Sequence, residues 1–361
     1  MIAESLKNAV LVGVETKRDI NFAASMEELE SLVESLGVKA SCSMVQSREK
    51  PHYATYLGRG KVEELKKLVA ELESDMVVCN DELSSAQLRN LEKELGVKVI
   101  DRTMVILEIF SRRARSREGM LQVELATLKY RLGHLTGKGV AMSRLGGGIG
   151  TRGAGEQKLE MDRRYIRNRI REIEKQMAKV KKNRVLHRQQ RQKAGLKTVS
   201  LVGYTNAGKS SLFNALCQVG HKSKAEQVSA HDQLFHTLDT TTRRIRVKPG
   251  LEILIADTVG FINKLPHHLI AAFRSTLEEA VEADLLLHVV DISQPDYLER
   301  ISVVEKVLEG LGASREKILT VFNKADLIED SEGLTNGGIY VSARTGFGIK
   351  SLLQKIGESL Q

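Results

Sequence analysis

The 361-residue sequence has no apolar run near the roughly 18 residues a helix needs to cross a bilayer, so integral membrane association is not expected. Its first residues, MIAESLKNAVLVGVE, set acids beside a short apolar run and lack a small-residue cleavage pattern. They read as a first strand and not as a signal peptide, and a cytoplasmic protein is expected. Cysteine is scarce. Cys42, Cys79 and Cys217 are odd in number, far apart and without histidines at ligand spacing, which argues against a disulfide framework or a zinc site and for reduced core residues. Acidic residues are the minority charge, 46 against 55 Lys and Arg, and the net +9 points toward an anionic partner. Hydrophobic content of 42% and charged content of 28% suit a folded globular chain long enough for two or three domains.

The charge excess is local. Residues 161–193 hold thirteen Lys or Arg against three Asp or Glu, a local +10 that accounts for the whole surplus. Around this stretch the pattern predicts three domains. Residues 1–105 alternate strand-like and helix-like pieces (AVLVGVE, SMEELESLVESLG, KASCSMVQ, GKVEELKKLVAELES, DMVVCND, SSAQLRNLEKELG, VKVIDR), a small α/β domain with a mostly parallel sheet. Its GRGK, Gly58 to Lys61, lacks phosphate-loop spacing and reads as a turn and helix start. In 106–193, Leu121, Leu125, Leu128, Leu132 and Leu135 step by four and three, as do Ile166, Ile170, Ile173, Met177 and Val180. Two such seams predict a long antiparallel helical hairpin projecting from the body. Few acids are at hand to pair the hairpin's cations, so an RNA backbone is the expected counter-charge and a solvated coiled-coil face the plainer alternative. The tip, Thr136 to Gly155, has eight glycines, three cations (Lys138, Arg144, Arg152) and no acid before Glu156. That composition cannot pack a core. It fits a loop that orders on a large anionic surface better than a linker, and without aromatics it is not built to read unpaired bases.

Residues 194–361 read as an open α/β nucleotide-binding sheet, with strands in TVSLVG, LEILIADTVG, ADLLLHVVDI, KILTVFNKAD and GIYVSA. GYTNAGKS (Gly203, Tyr204, Thr205, Asn206, Ala207, Gly208, Lys209, Ser210) satisfies G-x-x-x-x-G-K-[ST] with a strand before it and a helix after it. Its backbone amides suit phosphates, Lys209 the β and γ oxygens, and the Ser210 hydroxyl Mg²⁺. DTVG (Asp257, Thr258, Val259, Gly260) follows a strand. Asp257 is expected to hold Mg²⁺ through water and the Gly260 amide to meet the γ-phosphate. In NKAD (Asn323 to Asp326, with Lys324) the Asp326 carboxylate can accept from guanine N1–H and the N2 amine, donors that adenine lacks. SAR (Ser342, Ala343, Arg344) offers an Ala343 amide for guanine O6. GTP is therefore the expected substrate. The fold class is α/β, a P-loop GTPase domain preceded by a small α/β domain and a long helical hairpin.

Five stretches, GYTNAGKSSLFNAL, FHTLDTTTRR, DTVGFINKLPHHLIAAFRSTLEE, NKAD and SRLGGGIGTRGAGEQKLEMDRR, together resemble the HflX family of ribosome-associated GTPases along essentially the whole chain. The family usually has Ala where this chain has His236, Pro where it has Thr240, and GPGET where it has GAGEQ. The resemblance implies a first switch at Phe235, His236, Thr237, Leu238 and Asp239, with Thr237 coordinating Mg²⁺. Local sequence alone leaves Thr237, Thr240, Thr241 and Thr242 in competition. Asn206 matches a position that helps bind a monovalent cation, potassium, in related GTPases; a loop hydrogen bond is the equal alternative.

Phe261 stands where many nucleotide hydrolases keep a water-orienting glutamine. Lys209, Thr237, Gly260 and Mg²⁺ are then left with a slow intrinsic reaction that an activator completes in trans. His236 and His267 or His268 are candidate internal water-positioners, and surface or switch-packing roles are the favoured reading, because a lone histidine carries no geometry. The resemblance implies the large ribosomal subunit and its ribosomal RNA as partner, not DNA, and GTP-dependent dissociation of stalled or idle ribosomes, with the glycine-rich tip reaching toward the peptidyl-transferase region. An NTP-dependent RNA remodeller or helicase is the rival, though no helicase motif array is present. A signalling GTPase whose hairpin binds a protein is a third reading.

Overall fold

The computed structural model describes residues 7–17, 19, 21–135, 154–220, 235, 240–264, 269, 277–278, 281–328 and 338–361. The tip cations Lys138, Arg144 and Arg152, the switch residues His236, Thr237, Leu238 and Asp239, and His267 and His268 lie outside the described residues. The described chain packs as two compact units. One draws on Met1–Arg112, Met120–Met177 and Pro266–Leu269, the other on Arg113–Gly119, Ala178–Leu265 and Ile270–Gln361. Residues 106–193 contribute to both.

In the first unit, β1 (Asn8–Glu15), β2 (Lys39–Ser47), β3 (Met76–Cys79) and β4 (Lys98–Asp101) form a sheet of order β2-β1-β3-β4 with every pairing parallel. Crossover helices α1 (Phe22–Ser35), α2 (Arg59–Glu71) and α3 (Ser85–Leu95) follow the first three strands. The inner strands β1 and β3 are apolar and buried on both faces, whereas β2 alternates at the edge. Its Cys42 is half-exposed, so only Cys79 and Cys217 are the core residues expected of all three cysteines. Helix α3 is bounded by its own sequence: Ser84 and Gln87 make a capping box, and Gly96, at φ 73°, closes its end in the left-handed region.

Helix α4 (Arg102–Arg113) springs directly from β4. The Asp101 carboxylate accepts from the amides of Leu83 (3.0 Å) and Met104 (2.9 Å) and so starts the helix. Burial lifts its pKa to about 6. Arg102, only 2% exposed, donates to the Ser25 carbonyl at 3.1 Å and to Asn80 Oδ1 at 2.9 Å and is ion-paired to Glu28. Those partners come from α1 and from the residue that follows β3, and a buried guanidinium requires such partners.

The expected hairpin is present as α5 (Arg117–Leu135) and α6 (Ala154–Lys193). Leu121, Leu125, Ile170 and Ile173 form its core, with Leu128, Leu132, Ile166 and Met177 packed against them. The pairs Glu124–Arg169 (2.7 Å) and Lys129–Glu174 (3.1 Å) and the Arg163 bond to the Leu135 carbonyl (3.2 Å) fix the antiparallel register. Helix α6 starts seven residues earlier than its basic stretch, and its 40 residues span about 60 Å.

The expectation that its cations lack partners needs correction. Glu118 pairs with Arg184 at 2.7 Å, Glu278 with Lys181 at 2.9 Å, and Glu282 with Arg188. A count confined to 161–193 misses these acids because they lie far away in sequence. Six cations, Arg164, Arg171, Lys175, Lys179, Lys182 and Lys193, remain exposed without an ion pair to a described residue.

In the second unit α6 ends at a left-handed Gly195 (φ 67°), the Leu196 amide reaching back to the Arg191 carbonyl at 3.1 Å. The chain then enters β5 (Lys197–Gly203). With β6 (Thr241–Lys248), β7 (Leu251–Asp257), β8 (Leu285–Asp291), β9 (Ile318–Asn323) and β10 (Ile339–Tyr340) it forms a sheet of order β10-β9-β8-β5-β7-β6. All pairings are parallel except β6–β7. Helices α7 (Lys209–Gly220) and α9 (Ile349–Ser359) enclose a core that includes Phe213, Ile255, Leu287, Val289 and Leu352, and α8 (Tyr297–Gly310) follows β8. Charged β6 was not among the expected strands. GIYVSA shrinks to a two-residue strand because the Ser342 amide turns to the Phe347 carbonyl at 3.0 Å.

Candidate functional site

Strands β5, β7, β9 and β10 point the same way, so the turns that follow them meet at one end of the sheet. They carry 203–210, 257–260, 323–326 and 342–344, the four segments expected to form the nucleotide site. Gly203 (φ 151°) lies where a Cβ would sit 2.2 Å from the Val289 carbonyl oxygen, so only glycine lets β5 approach β8 there. Asn206 is left-handed (φ 59°), a conformation asparagine tolerates, and is exposed.

Lys209 is buried at the first turn of α7. Its Nζ donates to the carbonyls of Gly203 (3.2 Å) and Tyr204 (2.7 Å). Burial pulls its pKa down to about 8, against the opposing charge of Asp257. Ser210 Oγ donates to Asp257 Oδ2 at 2.6 Å. A hydroxyl and a carboxylate this close are hard oxygen donors, and the pair fits Mg²⁺. Thr258 turns inward to donate to the Leu201 carbonyl at 2.5 Å, and Val259 is buried. A Cβ on Gly260 would fall 2.9 Å from Lys209 Nζ and 2.8 Å from Thr205 Cγ2, which places Gly260 directly against the lysine.

At the other end of the site, Asn323 joins three motifs. Its Nδ2 donates to the Ala207 carbonyl at 3.0 Å, and its Oδ1 accepts from the Ala343 amide at 3.0 Å. The amide expected to meet guanine O6 is thus held by Asn323 here. Lys324 is left-handed (φ 64°) and ion-paired with Asp291 at 2.7 Å. Buried Ser342 accepts from the Thr345 amide at 3.1 Å and shapes the last turn, while Asp326 and Arg344 are exposed. Of the first switch, Phe235 is described and is buried at φ 54°.

Phe261 is also buried, 2% exposed. Its amide donates to the Gly203 carbonyl at 3.0 Å and its carbonyl accepts from the Thr205 amide at 2.6 Å, a one-residue parallel bridge with Tyr204. The residue that replaces a water-orienting glutamine therefore pins its segment to the phosphate loop. No sequence signal marks that bridge.

His288 was likewise not singled out. On β8 it is 1% exposed, and burial together with the Lys209 charge holds its pKa down at about 4. Because the unfolded chain binds this proton below about pH 6.5 and the folded chain only near 4, the neutral ring's contribution is complete above 6.5 and is lost as pH falls toward 4. On the order of 3 kcal/mol is at stake by that linkage. Denaturant titrations from pH 4 to 7 are expected to show His288→Gln with a flatter acid limb than the parent; parallel limbs would refute this.

Three family profiles match in order: "GTP-binding GTPase N-terminal" over residues 23–111, "GTP-binding GTPase Middle Region" over 113–191 and "50S ribosome-binding GTPase" over 198–324. A solved structure described as an SsGBP and GDP complex shares the fold, with TM-score 0.52 and 24% identity over 98% of both chains. The GTPase HflX of Caldanaerobacter subterraneus subsp. tengcongensis is 49% identical over 99% of this chain and 82% of its own length. That of Escherichia coli is 45% identical over 98% of this chain and 83% of its own. With the phosphate loop, Lys209 and Asp257 gathered at one end of the sheet, and with these relatives aligned along nearly all of its length, the chain belongs to the GTPase HflX family and is a GTP-hydrolysing enzyme.

Proposed function

We propose that this GTPase binds the large ribosomal subunit through α6 and dissociates stalled or idle ribosomes in its GTP form, hydrolysis serving release. One observation carries the reading. Arg164, Arg171, Lys175 and Lys182, all exposed and without ion pairs to described residues, are spaced by seven, four and seven residues. At 3.6 residues per turn they share one face within about 20°, opposite the Ile166, Ile170, Ile173 and Met177 seam. The stripe is about 27 Å long and suits a folded RNA backbone, whose shape and phosphates it would meet without reading bases. Helix α6 enters β5 after three residues, and β5 ends in the phosphate loop, so the stripe and the GTP site lie on consecutive elements.

Within the site, Lys209 and the loop amides take the phosphates, Gly260 and Thr237 the γ-phosphate, and Asp326, Ala343 and Asn323 the guanine. Ser210, Asp257 and Thr237 would hold Mg²⁺, which when bound neutralises charge on the β and γ oxygens. Asn206 is proposed to help hold potassium. The test is cosedimentation of the protein, loaded with a non-hydrolysable GTP analogue, with large ribosomal subunits at moderate salt. The parent is expected in the pellet, and the variant with all four stripe cations changed to glutamine in the supernatant. Equal pelleting of both would remove the stripe from the interface, and a parent that stays in the supernatant would end the ribosomal reading.

A further inference from the structure

The phosphate loop and the segment after Asp257 are joined by more than a backbone bridge. The Tyr204 hydroxyl accepts from the Asn263 amide at 2.7 Å. Its ring lies under the Arg300 guanidinium, 5.1 Å from the centroid, and Arg300 is held in turn by Asp296 at 2.8 Å. The Tyr204 carbonyl accepts from Lys209. One loop residue thus touches the lysine through its main chain, the segment following Gly260 through its phenol, and α8 through its ring. Gly260 sits between two fixed points: Asp257 at the end of β7, and the Phe261 to Asn263 stretch held by Gly203, Thr205 and Tyr204.

We infer that Tyr204 is a positioning residue for GTP hydrolysis, its phenol fixing the turn that presents the Gly260 amide to the γ-phosphate. The inference rests on the assignment of Gly260 to that phosphate. The phenol's contribution is preorganisation. A donor aimed in advance at developing charge lowers the barrier without reorganising during the reaction, and a loosened turn forfeits part of that gain. Tyr204→Phe keeps the ring beneath Arg300 and the main-chain bonds to Lys209 and Phe261. It removes one acceptor and leaves the part-buried Asn263 amide unsatisfied.

GDP meets the phosphate loop and not Gly260, so the two nucleotides separate a positioning role from a cradle role. For Tyr204→Phe in the full chain, single-turnover hydrolysis at saturating GTP is expected to fall about tenfold, the equivalent of one lost hydrogen bond. The GDP dissociation constant should stay within about twofold, and a single lost hydrogen bond should lower the melting temperature by only about 2–4 °C. Unchanged turnover, or GDP and GTP affinities weakened in parallel, would overturn the role of the phenol. Hydrogen exchange of the unsubstituted protein tests the underlying assignment separately. Residues 258–263 are expected to be protected more by guanylyl imidodiphosphate than by GDP, and equal protection would overturn both the Gly260 assignment and the inference built on it.

Discussion

Replacing Gly208 by alanine is expected to weaken both GDP and GTP binding by more than about 100-fold while leaving the chain folded. The backbone at Gly208 has φ 84°, where an L side chain is strained by about 1–2 kcal/mol. The added Cβ would also lie 2.2 Å from Asn323 Nδ2. The carboxamide must then withdraw, and with it go the bonds to the Ala207 carbonyl and from the Ala343 amide, each 3.0 Å and each worth about 1 kcal/mol. Strain plus two lost bonds is about 3–4 kcal/mol, a factor of a hundred or more in affinity. The core beneath, Phe213, Leu287 and Val289, is untouched, so circular dichroism should be unchanged. Titration with a fluorescent GDP analogue reads the effect, and a loss of less than tenfold would show that the loop adapts at little cost.

The second large effect is expected from the ribosome. Phe261 is buried and bonded through its backbone to Gly203 and Thr205, and its phenyl side chain has no group that could hydrogen-bond an attacking water. The other described groups proposed for the site, Lys209 and Gly260 for phosphate and Ser210 and Asp257 for Mg²⁺, are not assigned to the attacking water. Turnover by the protein alone should be slow. Added large ribosomal subunits should raise it by about 10³, the lower end of what a group supplied in trans achieves. Running the assay in potassium and then in sodium asks in addition whether Asn206 serves a cation. Fast unassisted turnover would mean that the chain has its own water-orienting group and would remove the need for an activator.

What could be read from the sequence follows from the range of the interactions involved. The phosphate loop, DTVG, NKAD and SAR are local strings whose backbone needs dictate their residues, as Gly203 against Val289 and left-handed Gly208 illustrate. The leucine and isoleucine seams of α5 and α6 were equally legible, because a helix repeats its faces at fixed spacing. Tertiary pairings were not. Buried Arg102 depends on Ser25 and Asn80, 77 and 22 residues away. Lys181 finds its acid 97 residues downstream. Asn323 belongs to the legible NKAD string, but its bonds to Ala207 and Ala343, 116 and 20 positions off, cannot be read from that string. Strand β6 was missed for another reason: Arg243, Arg244, Arg246 and Lys248 obscure a β pattern that has Ile245 as its buried residue.

Those same cations bear on how the molecule behaves in a crowded solution. A sheet edge is an open ladder of amides and carbonyls, and a strand from another chain can extend it. At one edge of the second unit's sheet stands β6, where such a strand would meet a row of guanidinium and ammonium groups, with Arg244 and Arg246 held in place by Glu252. At the other stands β10, two residues long and too short to template an added strand. Lateral growth of the sheet into aggregates is therefore blocked at one end by charge and at the other by brevity.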